Sequence, residues 1–268
     1  MIQLPKERSV VNNYNPSFLI IGGRPKAGKS SLIASIDNNL IIDLEDGYRA
    51  LSVMKVQARS VEDLEEIKES IIAEGKKIKK APYRFITIDN ATRLEEMAIP
   101  LAAKIFRQTP MGAKWGLIQD ANGMPVKDPK TGKFMVDPKA DVRQLAQGSG
   151  YLYLRKAIRY LIDMYKPLCE TLILVTHIKD RQIRVDNEEM SEMSIDLAGK
   201  LSDIICGEAD AIGMVYRQGN KTYISFEGGD NTIREARCPH LRGKKILVAE
   251  SNDNNEVVFD SSKLFINE

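Results

Sequence analysis

A chain of 268 residues that is 43% hydrophobic and 28% charged holds enough apolar material for one large or two small cores, which excludes a disordered, collagen-like or disulfide-stapled polypeptide. Its net charge of +2, from 39 Lys+Arg against 37 Asp+Glu, excludes a polycation that coats nucleic acid indiscriminately, so any such contact has to be local. Three cysteines (Cys169, Cys206, Cys238) and two histidines (His177, His240) are too few soft ligands for a zinc module and fit a reducing compartment.

In chain order, the first 16 residues show no apolar targeting core, and no later run approaches 18 uninterrupted apolar residues. A soluble, cytoplasmic protein without membrane contact is expected. Apolar, β-branched-rich runs at 17–22 (SFLIIG), 40–44 (LIIDL), 84–89 (RFITID) and 171–177 (TLILVTH) predict strands. Their near-continuous apolarity suits burial on both faces of a parallel sheet. Between the second and third, Ser60 followed by Asp63 reads as an N-cap with an acid three residues on, and Val61, Leu64, Ile67 and Ile71 recur at helical spacing until Gly75. Further helices are expected at 91–108 and 150–166, the second stopping before Pro167. Strand alternating with helix predicts an α/β fold.

Two segments break this rhythm. Residues 109–148 carry five glycines, four prolines and little periodicity, which predicts a long loop or hairpin insertion. Residues 178–194 form a second polar stretch directly after a buried strand. Short strands at 209–216, 221–228, 245–249 and 256–259, with turns at Gln218-Gly219-Asn220 and Glu227-Gly228-Gly229-Asp230, predict an antiparallel extension of the sheet.

Gly23-Arg24-Pro25-Lys26-Ala27-Gly28-Lys29-Ser30 matches G-x-x-x-x-G-K-[ST], and it lies where that motif works, after a buried strand and before a helix. Successive backbone N–H groups in such a turn cradle phosphate, because glycine lets the backbone approach closely. Lys29 is expected to reach the β/γ-phosphates of ATP and Ser30 to ligate Mg²⁺. The nucleotide-binding set is Gly23, Arg24, Pro25, Lys26, Ala27, Gly28, Lys29, Ser30 and Ser31. Asp89 closes the strand RFITID, where an acid holds Mg²⁺ directly or through water; it also stands where a helix N-cap would.

The second strand ends Ile42-Asp43-Leu44-Glu45-Asp46-Gly47. An acid at the tip of the strand beside the P-loop is placed to orient and deprotonate a water attacking the γ-phosphate. Here the sequence resembles the RecA-like ATPases, and more closely the small phage RecA-core ATPases known as phage nucleotide-binding proteins, which include single-strand annealing recombinases. The shared order is G-x-P-x-x-G-K-S, a strand ending D-x-E-x-G, a strand ending I-D, a long helix and a strand ending T-H, over roughly residues 17–217.

The resemblance implies a RecA-like P-loop NTPase core: a mostly parallel sheet flanked by helices, with the antiparallel C-terminal extension, in a single domain over 1–268 interrupted by the insertion at 109–148. It implies Glu45 as catalytic base, with Asp43 and Asp46 competing and Asp43 buried by strand parity. It implies His177 as a γ-phosphate sensor, against the plain alternative of a structural histidine. A homo-oligomer with nucleotide at subunit interfaces is implied too, its bridging cation open among Lys200, Arg217, Arg234, Arg237 and Arg242.

Between positions 104 and 143 stand eight basic residues against four aspartates, an excess of +4 where the rest of the chain sums to −2. With Trp115 and Phe134 interleaved, this stretch suits single-stranded DNA, phosphates on lysines and bases on rings. Lys114, Trp115, Lys127, Lys130 and Lys133 are its candidate contacts, and Lys179, Arg181 and Arg184 those of the stretch after the fourth strand. A solvated loop is the competing reading for both. The activity expected is ATP hydrolysis coupled to single-strand handling in phage-type recombination or replication, with a single-strand-binding protein as a further partner. The alternative is an ATP-dependent loader or assembly switch working through a protein partner.

Overall fold

The computed structural model describes residues 13–185, 188–229, 232–252 and 257–267. In chain order its elements are β1 (Phe18–Gly23), α1 (Lys29–Ala34), β2 (Asn39–Asp43), β3 (Lys55–Gln57), α2 (Val61–Ile78), β4 (Phe85–Asp89), α3 (Ala91–Arg107), α4 (Gly150–Asp163), β5 (Thr171–Thr176), β6 (Ile178–Val185), β7 (Glu188–Ile195), α5 (Leu201–Glu208), β8 (Ala211–Gln218), β9 (Lys221–Ser225), β10 (Glu235–Ala236), β11 (Lys245–Ser251) and β12 (Val257–Phe259).

The main sheet runs β12-β11-β9-β8-β1-β5-β4-β2-β3, with β10 pairing β8. From β8 to β3 every neighbouring pair is parallel, and β9, β11 and β12 continue antiparallel. This is the mostly parallel, helix-flanked sheet with an antiparallel C-terminal extension expected from the sequence. The register sets Leu19 against Ile173 and Ala211, and Phe18 against Leu172. Successive residues of each central strand enter different cores. Phe18, Ile20, Ile42, Ile86, Ile88, Leu172 and Leu174 pack with α2, α3 and α4, while Leu19, Ile21, Ile41, Ile173 and Val175 pack with α1 and the C-terminal strands. Burial on both faces is why these runs do not alternate.

Four local details differ from expectation. The 209–216 strand is not antiparallel to the core: β8 lies parallel beside β1, reached by the α5 crossover that a parallel neighbour requires. Residues 178–194 are not a loop but the β6–β7 ribbon, paired from Ile178–Ile195 to Val185–Glu188. Helix α2 opens with the expected capping box, Ser60 and Asp63 bonding each other's backbone N–H, but it runs past Gly75 to Ile78. A Cβ at Gly75 would stand 3.2 Å from the Lys80 carbonyl oxygen, so this glycine lets the returning chain pass and does not end the helix. Helix α4 stops at Asp163, before the 3₁₀ turn Lys166–Leu168 that contains Pro167.

Residues 112–140 form an arm held by isolated bridges, Leu117–Val136, Gln119–Pro125 and Lys127–Phe134. Its aspartates are spent on turns: Asp120 accepts from the Asn122 and Met124 amides, Asp128 from those of Lys130 and Thr131, and Asp137 from that of Lys139. At the root, Phe106 meets Trp115 edge-on at 5.4 Å and Tyr153 at 4.9 Å. Among the described residues no helix is long and apolar enough to cross a membrane.

Candidate functional site: a phosphate-loop cavity

β1 delivers the glycine-rich loop at its C-terminal end, where the neighbouring parallel strands also end. Gly23 is required by packing, since a Cβ there would lie 2.7 Å from the Val215 carbonyl oxygen on β8. Gly28 is required by conformation: it caps α1 at φ 103°, in the left-handed region, and a Cβ would approach the Phe259 ring to 3.0 Å. The loop opens on a cavity of about 390 Å³ lined by Pro25, Lys26, Gly28, Lys29, Ser30, Ser31, Asp43, Glu45, Gly47, Asp89, Asn90, His177 and Arg217. The expected metal and catalytic residues, with the phosphate loop apart from Gly23, Arg24 and Ala27, thus meet in one space at the ends of β1, β2, β4 and β5.

Lys29 is buried and donates from Nζ to the carbonyl oxygens of Gly23 (2.8 Å) and Arg24 (3.0 Å). Burial lowers its pKa, and the charges of Asp89 and Glu45 oppose that shift. Of the three acids at the tip of β2, Asp43 is buried, and its Oδ1 accepts from the Glu45 (3.2 Å) and Gly47 (3.1 Å) amides. It braces the turn, as strand parity led us to expect of a buried residue. Asp46, at φ 61°, is paired with Arg49 and with Lys55, and the Arg49 hydrogen bond lowers its pKa, which makes it a poor proton acceptor. The Glu45 carboxylate is exposed to the cavity and has no hydrogen bond or ion pair among the described residues.

Asp89 ends β4 level with Asp43. Its Oδ2 accepts a 2.6 Å hydrogen bond from the buried Tyr48. Tyr48 therefore orients Asp89, one of the two residues expected to hold Mg²⁺. Burial pushes the Asp89 carboxyl up to about 6, with Tyr48 pulling it down and the Glu45 charge adding to the rise. A buried carboxylate beside a hydroxyl, short of compensating positive charge, is a donor set that fits a hard cation.

The folded chain holds the Asp89 proton more tightly than the unfolded chain does. This group's contribution to the stability of nucleotide- and metal-free protein should therefore fall as pH rises from about 4 to about 6, by on the order of 3 kcal/mol. Denaturant titrations of wild type and Asp89→Asn should diverge over that window in favour of the variant and run parallel above it. A constant gap from pH 4 to 7 would remove the shift.

His177 follows the last residue of β5. Asn90 caps α3 by accepting from the Arg93 amide, so its Nδ2 is the donor to His177 Nε2 at 3.3 Å. The ring proton then sits on Nδ1, which is buried and without a partner. The same region is tied to the ribbon's base: Thr92 Oγ1 donates to the Asp196 carbonyl and the Ala198 amide to Glu95.

The residues considered for DNA divide. Lys114, Lys127, Lys130 and Lys133 are exposed and free of ion pairs among the described residues, and the Lys127 ammonium stands 5.1 Å over the Phe134 ring. Trp115 is half-buried and meets Phe106 edge-on, so it anchors the arm; Phe134 is the exposed ring. Lys179 is occupied by the Leu197 carbonyl and Asp196, and Arg181 by Glu192 and Asp203. These neutralised cations do not form the open basic loop expected there. Arg184 lies on β6 with its side chain outside the described residues.

Two cavity residues escaped sequence reasoning, Asn90 and, as a group facing its own chain's cavity, Arg217, and so did the buried Tyr48 that bonds Asp89. The one signal for Tyr48 is an aromatic directly after the acidic turn Glu45-Asp46-Gly47.

Comparison with known proteins gives a family match over part of the chain and a similar solved structure. Residues 15–117 match the family model described as AAA domain, a span that includes the P-loop, Glu45 and Asp89. No curated protein matches the chain. Among solved structures the chain is similar to the crystal structure of the RadB recombinase, at 9% identity and TM-score 0.43 over 92% of this chain and 93% of that one.

Proposed function

We propose that the chain, working over 1–268 as one RecA-like unit with 109–148 inserted, is a Mg²⁺-dependent ATPase that acts on single-stranded DNA. The observation that carries this reading is the convergence of Lys29, Ser30, Glu45, Asp89 and His177 on one cavity. Ser30 and Asp89 would hold the Mg²⁺, which when bound neutralises charge on the β- and γ-phosphate oxygens. Lys29 exchanges its two carbonyl partners for phosphate oxygens, Glu45 takes the proton of the attacking water, and His177 answers the presence of the γ-phosphate.

The DNA part of the reading rests on the arm, whose carboxylates are turned to backbone amides while its lysines point to solvent. Copies assembling along a strand, in the setting of phage-type recombination, belong to the same proposal, as does a single-strand-binding protein as a neighbour on that strand. ATP turnover titrated with single-stranded, double-stranded and no DNA tests it. Stimulation by single strands is the expected outcome, and indifference to DNA would sink the polymer-binding half.

Each lysine on a single-strand phosphate contributes about 0.7 to the slope of log K against log salt. Replacing Lys127, Lys130 and Lys133 with Gln should flatten that slope by up to about two units and leave DNA-free turnover unchanged. An unaltered slope would make the arm a solvated loop.

A second reading, an ATP-driven loader or switch acting through a protein, is favoured by the exposed apolar side chains of the same arm, Ile118, Met124, Phe134, Met135 and Val136. Turnover raised by a protein partner and unaffected by DNA would select it.

A further inference from the structure

The cation opposite His177 comes from the other half of the sheet. β8 runs parallel to β1 with Met214 level with Gly22 and Val215 with Gly23, so Arg217 stands two residues beyond the point where β1 gives way to the phosphate loop. On the other flank Thr176 is level with Gly22, and His177 follows it. Arg217 and His177 thus bracket the mouth of the loop from opposite sides.

Side-chain direction agrees with this placement. Arg217 is the cross-strand partner of Thr222, and directly paired residues share a face of the sheet. The Thr222 methyl carbon lies 3.6 Å from where a Gly28 Cβ would be, so this is the face on which the phosphate loop sits. Arg217 is exposed, lines the cavity and has no hydrogen bond or ion pair among the described residues.

Charge gives it a task. The cavity lining holds three carboxylates, Asp43, Glu45 and Asp89, against Lys26, Lys29 and Arg217; Arg217 brings the lining's own side chains to charge balance. The other candidates for the bridging cation lie outside the cavity lining, and the three arginines among them have partners elsewhere. Arg234 bonds Thr232, Arg237 the Gly207 carbonyl, and Arg242 the carbonyls of Ala236 and Arg237.

We propose that Arg217 binds a phosphate oxygen of the nucleotide held by its own chain, supplying in cis the cation otherwise expected from a neighbouring subunit. A guanidinium suits this because its planar fork donates two parallel hydrogen bonds to phosphate and keeps its charge at any working pH. Charge developing on the transferred phosphoryl oxygens is what such a group stabilises. The proposal rests on the ATPase reading above. It adds that turnover needs no second copy, even if copies assemble on a strand.

The test mixes two defective proteins. Arg217→Ala should lose about 10²–10³-fold in turnover, and Arg217→Lys, which keeps the charge without the fork, should recover part of it. Circular dichroism and a thermal midpoint establish that the variants fold; should the alanine variant not fold, Arg217→Lys and Arg217→Gln carry the same comparison. Mixing Arg217→Ala with Lys29→Ala should restore nothing, and wild-type turnover per chain should be constant across protein concentration. Recovery on mixing would mean that Arg217 reaches a neighbour's nucleotide, and it would overturn the proposal. Wild-type-like turnover and fluorescent-ATP affinity in Arg217→Ala would also overturn it while leaving the P-loop reading intact. Wild type that binds no fluorescent ATP would instead remove the ATPase reading, and this proposal with it.

Discussion

Glu45→Gln should bind ATP as wild type does and hydrolyse it on the order of 10²–10⁴ times more slowly, the usual loss when a general base is removed. Glutamine keeps the size of the side chain and its reach into the cavity but cannot take a proton. Its neighbours cannot replace it. Asp43 is buried with Oδ1 committed to the Glu45 and Gly47 amides, and Asp46 is paired with Arg49 and Lys55. Single-turnover hydrolysis beside equilibrium binding of a fluorescent ATP analogue separates the two effects. Normal hydrolysis in Glu45→Gln together with a dead Asp43→Asn or Asp46→Asn would assign the base elsewhere.

Lys29→Ala removes a mobile cation from the loop and should lose ATP affinity, turnover or both by about 10²–10⁴-fold. That range corresponds to two charge-assisted hydrogen bonds at about 1.5–3 kcal/mol each. The variant should still fold, because the ammonium bonds back only to the start of its own loop, at the Gly23 and Arg24 carbonyls. Isothermal titration with ATP and Mg²⁺ checks this, and wild-type-like binding and turnover would sink the phosphate-loop assignment.

What was legible in the sequence was whatever depends on neighbours along the chain. The four buried strands announced themselves because burial on both faces leaves a solid apolar run, and the Ser60–Asp63 capping box because its partners lie three residues apart. The cavity acids at 43, 45 and 89 were legible because strand ends are where such groups collect.

The β6–β7 ribbon was not, because IKDRQIRV and EEMSEMSI carry charge throughout, and a two-stranded ribbon outside the main sheet needs no continuous apolar face. Tyr48 was missed because its role is a hydrogen bond across to β4, and Arg217 because its position depends on β8 lying beside β1. The anchoring contact of Trp115 was missed for a related reason: Phe106, which its ring meets edge-on, comes from the end of α3.

The pairing of β1 has a consequence for how the protein is made. Phe18 waits for Leu172 and Leu19 for Ala211, so β1 leaves the ribosome well before either of its partners. At about 5–20 residues per second, roughly ten to forty seconds pass between them. Throughout that interval FLIIGG is an unpaired apolar strand, of the kind that slows folding and invites aggregation. A fragment ending at residue 117, where the family match stops, would lack both β5 and β8. It would carry the complete phosphate-loop motif on a strand with nothing on either side, and the loop would have no framework to hold its shape.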